Sequence, residues 1–458
     1  MTAADPVVAA LRAVLPAGAV LDDPDVVRSY ARDQAMFAPA GQPRAVALPR
    51  CTDEVAAVLR VATEHRVPVV PRGAGSGLSG AANGLDGGIQ LVLTGMDRIL
   101  EIAPADRLAV VEPGVVTADL RKAVEAEGLF YPPDPASYEW CTIGGNLSTD
   151  AGGLCCVKYG VTSDFVLGLE VVLASGEVLR TGRRTVKGVA GYDLTRLIVG
   201  AEGTLGVITR ATLALRPLPA PPVTLVASFP STAAAGAAVA ETVRAGLVPS
   251  LLEIMDRTVI RAVDDWKRME LDRDAAALLL GQFDSGGERA AEELAALAAV
   301  CTAAGADTVH TTGDLEEGRM LLAARRLALP AIERLGAVLL DDVAVPRSRV
   351  ADLLTGTAEV AARTGLTIGV VGHAGDGNMH PTVVYDPATQ RAVAYEAFGA
   401  IMDLGLALGG TVTGEHGVGT LKRDWLAREL GPVGLRVHRQ VKAALDPLGI
   451  LNPGRVFG

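Results

Sequence analysis

The ten residues 71–80, “PRGAGSGLSG”, decide the fold. They follow a short apolar run at 67–70, and G-x-G-x-x-G occupies positions 75–80. In a Rossmann fold the third glycine of this pattern opens a helix whose amino terminus holds a pyrophosphate. Here the next residues, “AANGLDGG” (81–88), contain three more glycines, so no helix can begin. The stretch therefore predicts either a loop whose N–H groups converge on an anion or an ordinary surface loop.

Two further glycine-rich stretches favour the anion-binding loop. The first is “PPDPASYEWCTIGGNLSTDAGG” (132–153), which is unusually long for a simple connection. The second is “VKGVAGYDLTRLIVGAEGTLGVIT” (186–209), in which Gly200, Gly203 and Gly206 flank Glu202. Three separate glycine-rich segments indicate a backbone that closely approaches a large, extended ligand.

The composition limits the class of protein. The chain has 458 residues, 49% of them hydrophobic and 21% charged, which predicts two or three packed domains. The 42 basic and 53 acidic residues give a net charge of -11, which disfavours nucleic-acid binding. Five cysteines form no C-x-x-C pair, and the adjacent Cys155 and Cys156 are better explained as packed thiols than as a redox pair. We see no signal peptide and no membrane span, so we expect a cytoplasmic protein.

The pattern of elements predicts an α+β protein. Residues 52–66 predict a helix with Thr52 as its N-cap and an apolar stripe at positions 55, 58, 59 and 62. The proline-rich “PLPAPP” (217–222) is the best domain boundary. After it, strand and helix patterns alternate, which predicts a second domain of a sheet and helices. The predicted helices of this part lie at 231–246, 286–304, 315–335, 347–364, 388–408 and 432–446.

Two of the six histidines lie within “GHAGDGNMH” (372–380). No Gly-Lys-Ser/Thr follows, so this is not a P-loop, and the glycines favour a tight turn that brings His373 and His380 together. Alone, the pair is as compatible with structural histidines as with metal ligands. The stretch “TGEHGVG” (413–419) adds Glu415 and His416. Two histidines and one carboxylate suit a divalent catalytic metal such as zinc.

The quoted stretches, together with “LDPLGILNPGRVF” (445–457), resemble the FAD-linked oxidoreductases of the vanillyl-alcohol-oxidase type. Within them the chain is most similar to the D-lactate, glycolate and D-2-hydroxyglutarate dehydrogenase branch. The resemblance implies a PCMH-type FAD-binding domain at 1–218 and an α+β substrate or cap domain with a metal site at 219–425. A C-terminal helical segment, 426–458, would return to the flavin domain.

The resemblance also implies the residues that bind FAD. They are Pro71, Arg72, Gly73, Ala74, Gly75, Ser76, Gly77, Ser79, Gly80, Pro135, Thr142, Gly144, Gly145, Asn146, Thr149, Gly152, Gly153, Glu202, Gly203, Gly206, Ile208 and Asn452. Relatives that attach flavin covalently often use a histidine in the first loop. That position falls at about Ser76 here, and no histidine lies between 66 and 309, so we predict non-covalent FAD.

The resemblance implies that His373, His380 and Glu415 are the metal ligands and that His416 is the base. Zinc is favoured, with manganese and iron as alternatives. On the predicted helix at 321–332, alignment with the family selects Arg325 rather than Arg326 to bind the substrate carboxylate. Together with Arg325 and His416, the resemblance assigns Leu329 and Thr382 to the substrate site.

The implied reaction is oxidation of a D-2-hydroxy acid to the 2-keto acid, with hydride transfer to flavin N5. Members that use a dicarboxylate would place polar groups at about Leu329, Leu340 and Thr382, two of which are apolar here. D-Lactate or glycolate is therefore favoured over D-2-hydroxyglutarate. A flavin-binding or metal-binding subunit of a larger redox complex is the alternative from another class, and a nicotinamide-dependent dehydrogenase is disfavoured.

The partners that the resemblance implies are a small 2-hydroxy acid and an electron acceptor. The acceptor is a quinone, a cytochrome, an electron-transfer flavoprotein or an iron-sulfur subunit, and oxygen stays open as well. The oligomeric state is left open, with a homodimer as one option.

Overall fold

The computed structural model describes residues 5–457. The helices of this part of the chain are α1 Pro6–Val14, α2 Pro24–Ser29, α3 Thr52–His65, α4 Thr117–Glu125, α5 Ile143–Thr149, α6 Cys156–Tyr159, α7 Leu194–Ile198, α8 Thr232–Arg244, α9 Arg257–Lys267, α10 Gly287–Ala303, α11 Leu315–Arg326, α12 Ala328–Glu333, α13 Val350–Thr364, α14 Arg391–Ala407 and α15 Arg423–Leu445. Gly431, at φ 65°, interrupts α15 just before Pro432.

The strands are β1 Val20–Leu21, β2 Ala45–Ala47, β3 Val69–Arg72, β4 Ile89–Val92, β5 Ile99–Ala103, β6 Leu108–Val111, β7 Leu129–Phe130, β8 Val166–Val172, β9 Val178–Gly182, β10 Val207–Ala214, β11 Arg216–Pro217, β12 Val223–Phe229, β13 Leu251–Asp256, β14 Ala277–Phe283, β15 Thr308–Thr312, β16 Ala337–Leu340, β17 Val343–Ala344, β18 Thr367–His373 and β19 Asn378–Tyr385.

The described residues divide into two units. The first unit contains residues 5–152, 161–218 and 415–457, and the second contains residues 153–160 and 219–414. Helices and sheets occur in both units, as the alternating sequence patterns predicted.

The first unit contains two main sheets. In the four-stranded sheet, β1-β2-β4-β3, the strands β2, β4 and β3 run parallel, and α1 and α3 contribute to its apolar core. The five-stranded sheet, β5-β6-β10-β8-β9, is antiparallel. The predicted stripe of α3 is fully buried, but its N-cap is Cys51 and not Thr52. Thr52 is the first helical residue, and its hydroxyl donates to Glu170 Oε1 (2.8 Å) instead of capping the helix.

The second unit is built on one antiparallel sheet. Its strand order is β15-β12-β14-β13-β18-β19-β16, with β17 also paired to β19. Apolar residues of α9, α11 and α12 form one core with Met255, Val371 and Val384 of the sheet. Helix α10 packs on the other face, where a Cβ on Gly281 would lie 2.5 Å from Leu297. The central strands β13, β14, β18 and β19 are therefore buried on both faces.

The units differ from the predicted domains in two places. Residues 153–160 belong to the second unit, because Leu154 packs with Leu251 and Leu280 and because Lys158 and Tyr159 bind Asp284. Residues 415–425 belong to the first unit. Here the reason is a set of backbone hydrogen bonds that join 418–421 to residues far away in the sequence, as described below.

Candidate active site

The first glycine loop follows β3 directly, and no helix opens after it. Gly75 and Gly80 both have φ of +82°, a conformation that only glycine adopts without strain. A Cβ on Gly73 would lie 2.3 Å from Thr142 Oγ1, so the loop is pressed against the second glycine-rich stretch. The glycines therefore serve the left-handed turns of this loop and its close approach to Thr142, and not the start of a helix.

The second glycine-rich stretch contains the short helix α5. Thr142 is its N-cap, and its Oγ1 accepts the N–H of Gly145 (3.4 Å). Gly144 is in contact with Pro113, where a Cβ would lie 2.5 Å from the proline Cβ. Asn146 is buried and donates to Thr117 Oγ1 (2.8 Å), so its side-chain amide faces the protein interior.

Other predicted residues of this stretch have local roles. The hydroxyl of Thr149 donates to Gly145 O (3.3 Å), and Pro135 O accepts the N–H of Tyr138 (2.8 Å). Gly152 ends its segment of the first unit, whereas Gly153 belongs to the second.

The third glycine-rich stretch meets the other two. The N–H of Glu202 donates to Ser148 O (2.8 Å), and a Cβ on Gly203 would lie 3.0 Å from Pro71. Gly206 lets β10 approach β8, because a Cβ there would lie 2.4 Å from Val171 Cγ1. The first unit therefore brings the three glycine-rich stretches of the sequence together.

The side chain of Glu202, a predicted FAD-binding residue, accepts two backbone hydrogen bonds. Its Oε1 accepts the N–H of Val418 (2.7 Å) and its Oε2 accepts the N–H of Gly419 (2.9 Å). Burial raises the pKa of this carboxyl to about 7, although both amide bonds act in the opposite direction. Gly417 must be glycine, because a Cβ at its φ of +81° would lie 2.9 Å from Glu202 Cδ. Glu202 thus anchors the segment that carries Glu415 and His416.

The same segment is also tied to the first glycine loop. Ser79 O accepts the N–H groups of Thr420 (3.0 Å) and Leu421 (3.3 Å). Asn452 Nδ2 donates to Glu202 O (2.7 Å) and to Ala81 O (3.0 Å). The bonds from residues 418–421 to Glu202 and Ser79 are the physical reason why residues 415–425 belong to the first unit.

In the second unit, “GHAGDGNMH” forms the predicted hairpin. His373 ends β18, His380 lies on β19, and Gly377 has φ +88° in the turn between them. A Cβ on Gly377 would lie 2.2 Å from Val345 O, so no larger residue fits. The two buried imidazole rings are 5.1 Å apart, centroid to centroid, at an interplanar angle of 85°.

A buried carboxylate joins His373 to Arg325. Glu253 lies on β13 directly opposite His373, and its Oε1 is 2.8 Å from His373 Nδ1. Its Oε2 accepts the Nε–H of Arg325 at 2.7 Å. Burial by itself would raise the pKa of Glu253, but the facing His373 and Arg325 hold it below its ordinary value.

A second buried carboxylate lies beside His380. Asp342 Oδ1 is 3.8 Å from His380 Nδ1, while its Oδ2 accepts the hydroxyl of Thr413 (2.6 Å) and the N–H of Gly414 (3.1 Å). Asp342 therefore fixes the end of the second unit's chain near this imidazole.

The predicted substrate residues Thr382 and Leu329 lie in the same unit. Thr382 is two residues beyond His380 on β19, so both side chains lie on one face of the sheet. Its direct cross-strand partner is Leu340. Leu329 is half-buried on α12, one of the helices that pack against the sheet.

Glu415 and His416 open the last segment of the first unit, immediately after Gly414 in the chain. His416 Nε2 lies 3.9 Å from Glu415 Oε1. The remaining histidines lie outside the 372–380 hairpin and the 413–419 stretch. His310 pairs with Glu317 (2.8 Å) on the surface, exposed His438 bonds to Gly434 O, and His65 ends α3.

Comparison with known proteins identifies the family. Residues 43–182 match “FAD binding domain” and residues 218–456 match “FAD linked oxidases, C-terminal domain”. The chain belongs to the FAD-linked oxidases. It is 43% identical over 418 residues to the glycolate oxidase subunit GlcD of Bacillus subtilis, covering 91% of this chain and 89% of that one. It is 35% identical over 451 residues to a D-lactate dehydrogenase of Anaerostipes hadrus, covering 95% and 94%.

A solved structure confirms the fold of this FAD-linked oxidase. The crystal structure of p-cresol methylhydroxylase superposes with a TM-score of 0.81 at 20% identity, covering 98% of this chain and 96% of the other. The PCMH-type fold predicted from the sequence is therefore confirmed, as is the family. The protein is an FAD-linked oxidoreductase. Between residues 5 and 457, no helix is both long and apolar enough to cross a membrane.

The first unit of the oxidase fits FAD, a large cofactor with an anionic pyrophosphate. Arg72 Nη1 and Asn452 Oδ1 are buried without a hydrogen-bond partner among the described residues. Arg72 lies directly under the first loop, because its Nη2 would be 2.1 Å from a Cβ on Gly75. Buried polar atoms are normally paired, so these atoms indicate a polar ligand at this position. A buried guanidinium below glycine backbone suits an anionic one.

Two residues of the oxidase were missed in the sequence analysis, Glu253 and Asp342. Each is an acid within an otherwise apolar stretch, “LLEIMD” (251–256) and “VLLDDVAV” (338–345). A carboxylate at a position that a strand buries is costly unless it is paired, and this was the available signal. The sequence could not name the partners.

Proposed function

We propose that this FAD-linked oxidase oxidises a D-2-hydroxy acid to the 2-keto acid, with D-lactate or glycolate preferred. Relatives that match over most of the chain are named glycolate oxidase subunit and D-lactate dehydrogenase. The observation that carries the proposal is the His373–His380 pair, joined through buried Glu253 to Arg325. This arrangement combines two groups that bind a metal with one that binds a carboxylate.

The proposed metal ligands are His373, His380 and Glu415. The two imidazoles fit a divalent ion because they lie side by side on one hairpin. Nitrogen and carboxylate donors suit zinc, with manganese and iron as alternatives. A divalent ion held there would lower the pKa of the substrate hydroxyl.

Arg325 is the proposed partner of the substrate carboxylate. Its side chain is only 11% exposed, and a guanidinium can bind a carboxylate through two parallel N–H bonds. His416 is the proposed base, and its imidazole accepts the proton of the substrate hydroxyl. FAD, when bound without a covalent link, would supply the oxidising capacity for removal of a hydride from the substrate carbon.

The apolar residues near His380 favour a monocarboxylate. Leu340 lies directly opposite Thr382, and neither side chain can form an ion pair with a second carboxylate. Burying an unpaired carboxylate beside leucine is costly, which disfavours D-2-hydroxyglutarate.

A panel of D- and L-2-hydroxy acids tests the proposal. Purified protein is mixed with each acid and an artificial electron acceptor, without a nicotinamide cofactor. Bleaching of the flavin and turnover with D-lactate or glycolate are expected. Absence of bleaching with every acid would favour a non-catalytic flavin-binding subunit, and faster turnover with D-2-hydroxyglutarate would contradict the substrate assignment.

A further inference from the structure

Glu253 matches no motif in the sequence and is 1% exposed in the second unit. We infer that Glu253 is a positioning residue that orients His373 and Arg325 together, through separate oxygens of one carboxylate. The inference rests on the proposed function, because it assigns the metal ligand and the substrate-binding arginine to a common support.

The strand register brings Glu253 to His373. On β13, Glu253 is the direct antiparallel partner of His373 on β18, so the two side chains lie on the same face of the sheet. Arg325 reaches this face from the last turn of α11. The pairing is therefore set by the register of the sheet and by the packing of the helix on it.

The contact with His373 determines which ring nitrogen is available to a metal. A carboxylate only accepts, so Nδ1 carries the proton and donates to Oε1 over 2.8 Å. The lone pair then lies on Nε2, the nitrogen on the far side of the ring. Histidines that bind metals commonly donate their other N–H to a carboxylate, which fixes the tautomer and the orientation of the ring.

The contact with Arg325 determines which edge of the guanidinium is available to a substrate. Nε–H is engaged by Glu253 Oε2 over 2.7 Å. A carboxylate can bind a guanidinium through Nε and one Nη or through both Nη groups. Because Nε is engaged, the structure selects the edge formed by both Nη groups.

Glu253→Gln tests the inference with little change of shape. The amide offers one acceptor and one donor where two acceptors are needed. If the amide oxygen of the glutamine accepts the Nε–H of Arg325, the amide NH₂ faces His373 Nδ1. The proton of that ring then moves to Nε2. If its oxygen keeps His373, its NH₂ opposes the Nε–H of Arg325. In either orientation of the amide, one of the two hydrogen bonds that Glu253 makes in the wild type is lost.

The matched control is Asp284→Asn, another buried carboxylate of the same unit that pairs with Lys158 and Tyr159. FAD-loaded protein is stripped with a chelator and titrated with Zn²⁺ alone, and KM and kcat for D-lactate are measured after reloading. Glu253→Gln should weaken Zn²⁺ binding or raise KM by about tenfold or more. Asp284→Asn should change thermal stability but neither of these quantities.

Wild-type values of both Zn²⁺ affinity and KM in Glu253→Gln would overturn the inference. A wild-type protein without a Zn²⁺ site would instead remove the metal from the proposed function. In that case the tautomer of His373, read by ¹⁵N NMR of the metal-free wild type, decides the inference. Proton on Nδ1 supports it, and an Nδ1 without a proton overturns it, whether or not the Gln variant folds.

Discussion

Replacing Glu202 by glutamine should change how the stability of the first unit depends on pH. Burial raises the pKa of Glu202 from 4.5 to about 7 in the folded protein. Between these values the folded state keeps a proton that the unfolded state has lost. The contribution of Glu202 to the free energy of unfolding is therefore fully present below pH 4.5 and is lost as the pH rises through about 7.

The size of the effect follows from the shift. Each unit of pKa difference corresponds to about 1.4 kcal/mol, so the complete loss is about 3 kcal/mol, most of it between about pH 5 and pH 8. Glutamine has the shape of the protonated acid and does not titrate. The wild type should therefore lose about 2.5 kcal/mol relative to Glu202→Gln over this range.

The assay is urea unfolding of the FAD-loaded wild type and variant at about pH 5 and at about pH 8. Unfolding is monitored by flavin fluorescence, which reports on the first unit. Glu112→Gln is the control in the same unit. Burial opposes the ionisation of Glu112, but its bonds to Arg98 hold the pKa below the ordinary value. The stabilisation that the Glu112 carboxylate contributes is thus already complete above pH 4.5. The difference in unfolding free energy between Glu112→Gln and the wild type should therefore not change over this pH range. A flat difference for Glu202→Gln as well would refute the reasoning.

Four further outcomes are expected. His416→Ala should lower turnover by about 10²- to 10⁴-fold with FAD still bound, and near-normal turnover would exclude it as the base. Arg325→Lys should raise KM for D-lactate by about tenfold or more, because lysine lacks the planar fork, whereas exposed Arg326→Lys should not; equal effects would contradict the assignment. Chelation should abolish turnover and Zn²⁺ or Mn²⁺ should restore it, so chelator-insensitive activity would contradict the metal. Acid precipitation should leave the yellow flavin in solution, and a yellow pellet would disprove non-covalent binding.

The sequence was most informative where a short stretch constrains its own backbone. The glycines at 75, 80 and 377 all have positive φ, which only a residue without a Cβ adopts freely. The hairpin of His373 and His380 was predictable for this reason. The apolar stripe of α3 was predictable because its spacing alone selects one buried face.

The sequence predicted a domain boundary at the proline-rich break, and its long motifs identified the family. It grouped residues 415–425 with the second domain, whereas residues 418–421 of this segment bond to Ser79 and Glu202 of the first unit. The sequence placed Glu202 in a glycine motif but did not show that its carboxylate accepts amide N–H groups 216 and 217 positions later.

Only the tertiary structure shows that Glu253 contacts both His373 and Arg325. These residues lie 120 and 72 positions from Glu253. Their meeting depends on the register of β13 against β18, and a slip of one residue would turn Glu253 to the opposite face of the sheet. Local patterns of glycine and apolar residues act over a few positions and can be read from the sequence. Which buried acid faces which base is set by the pairing of distant strands, and that is fixed only when the whole sheet packs.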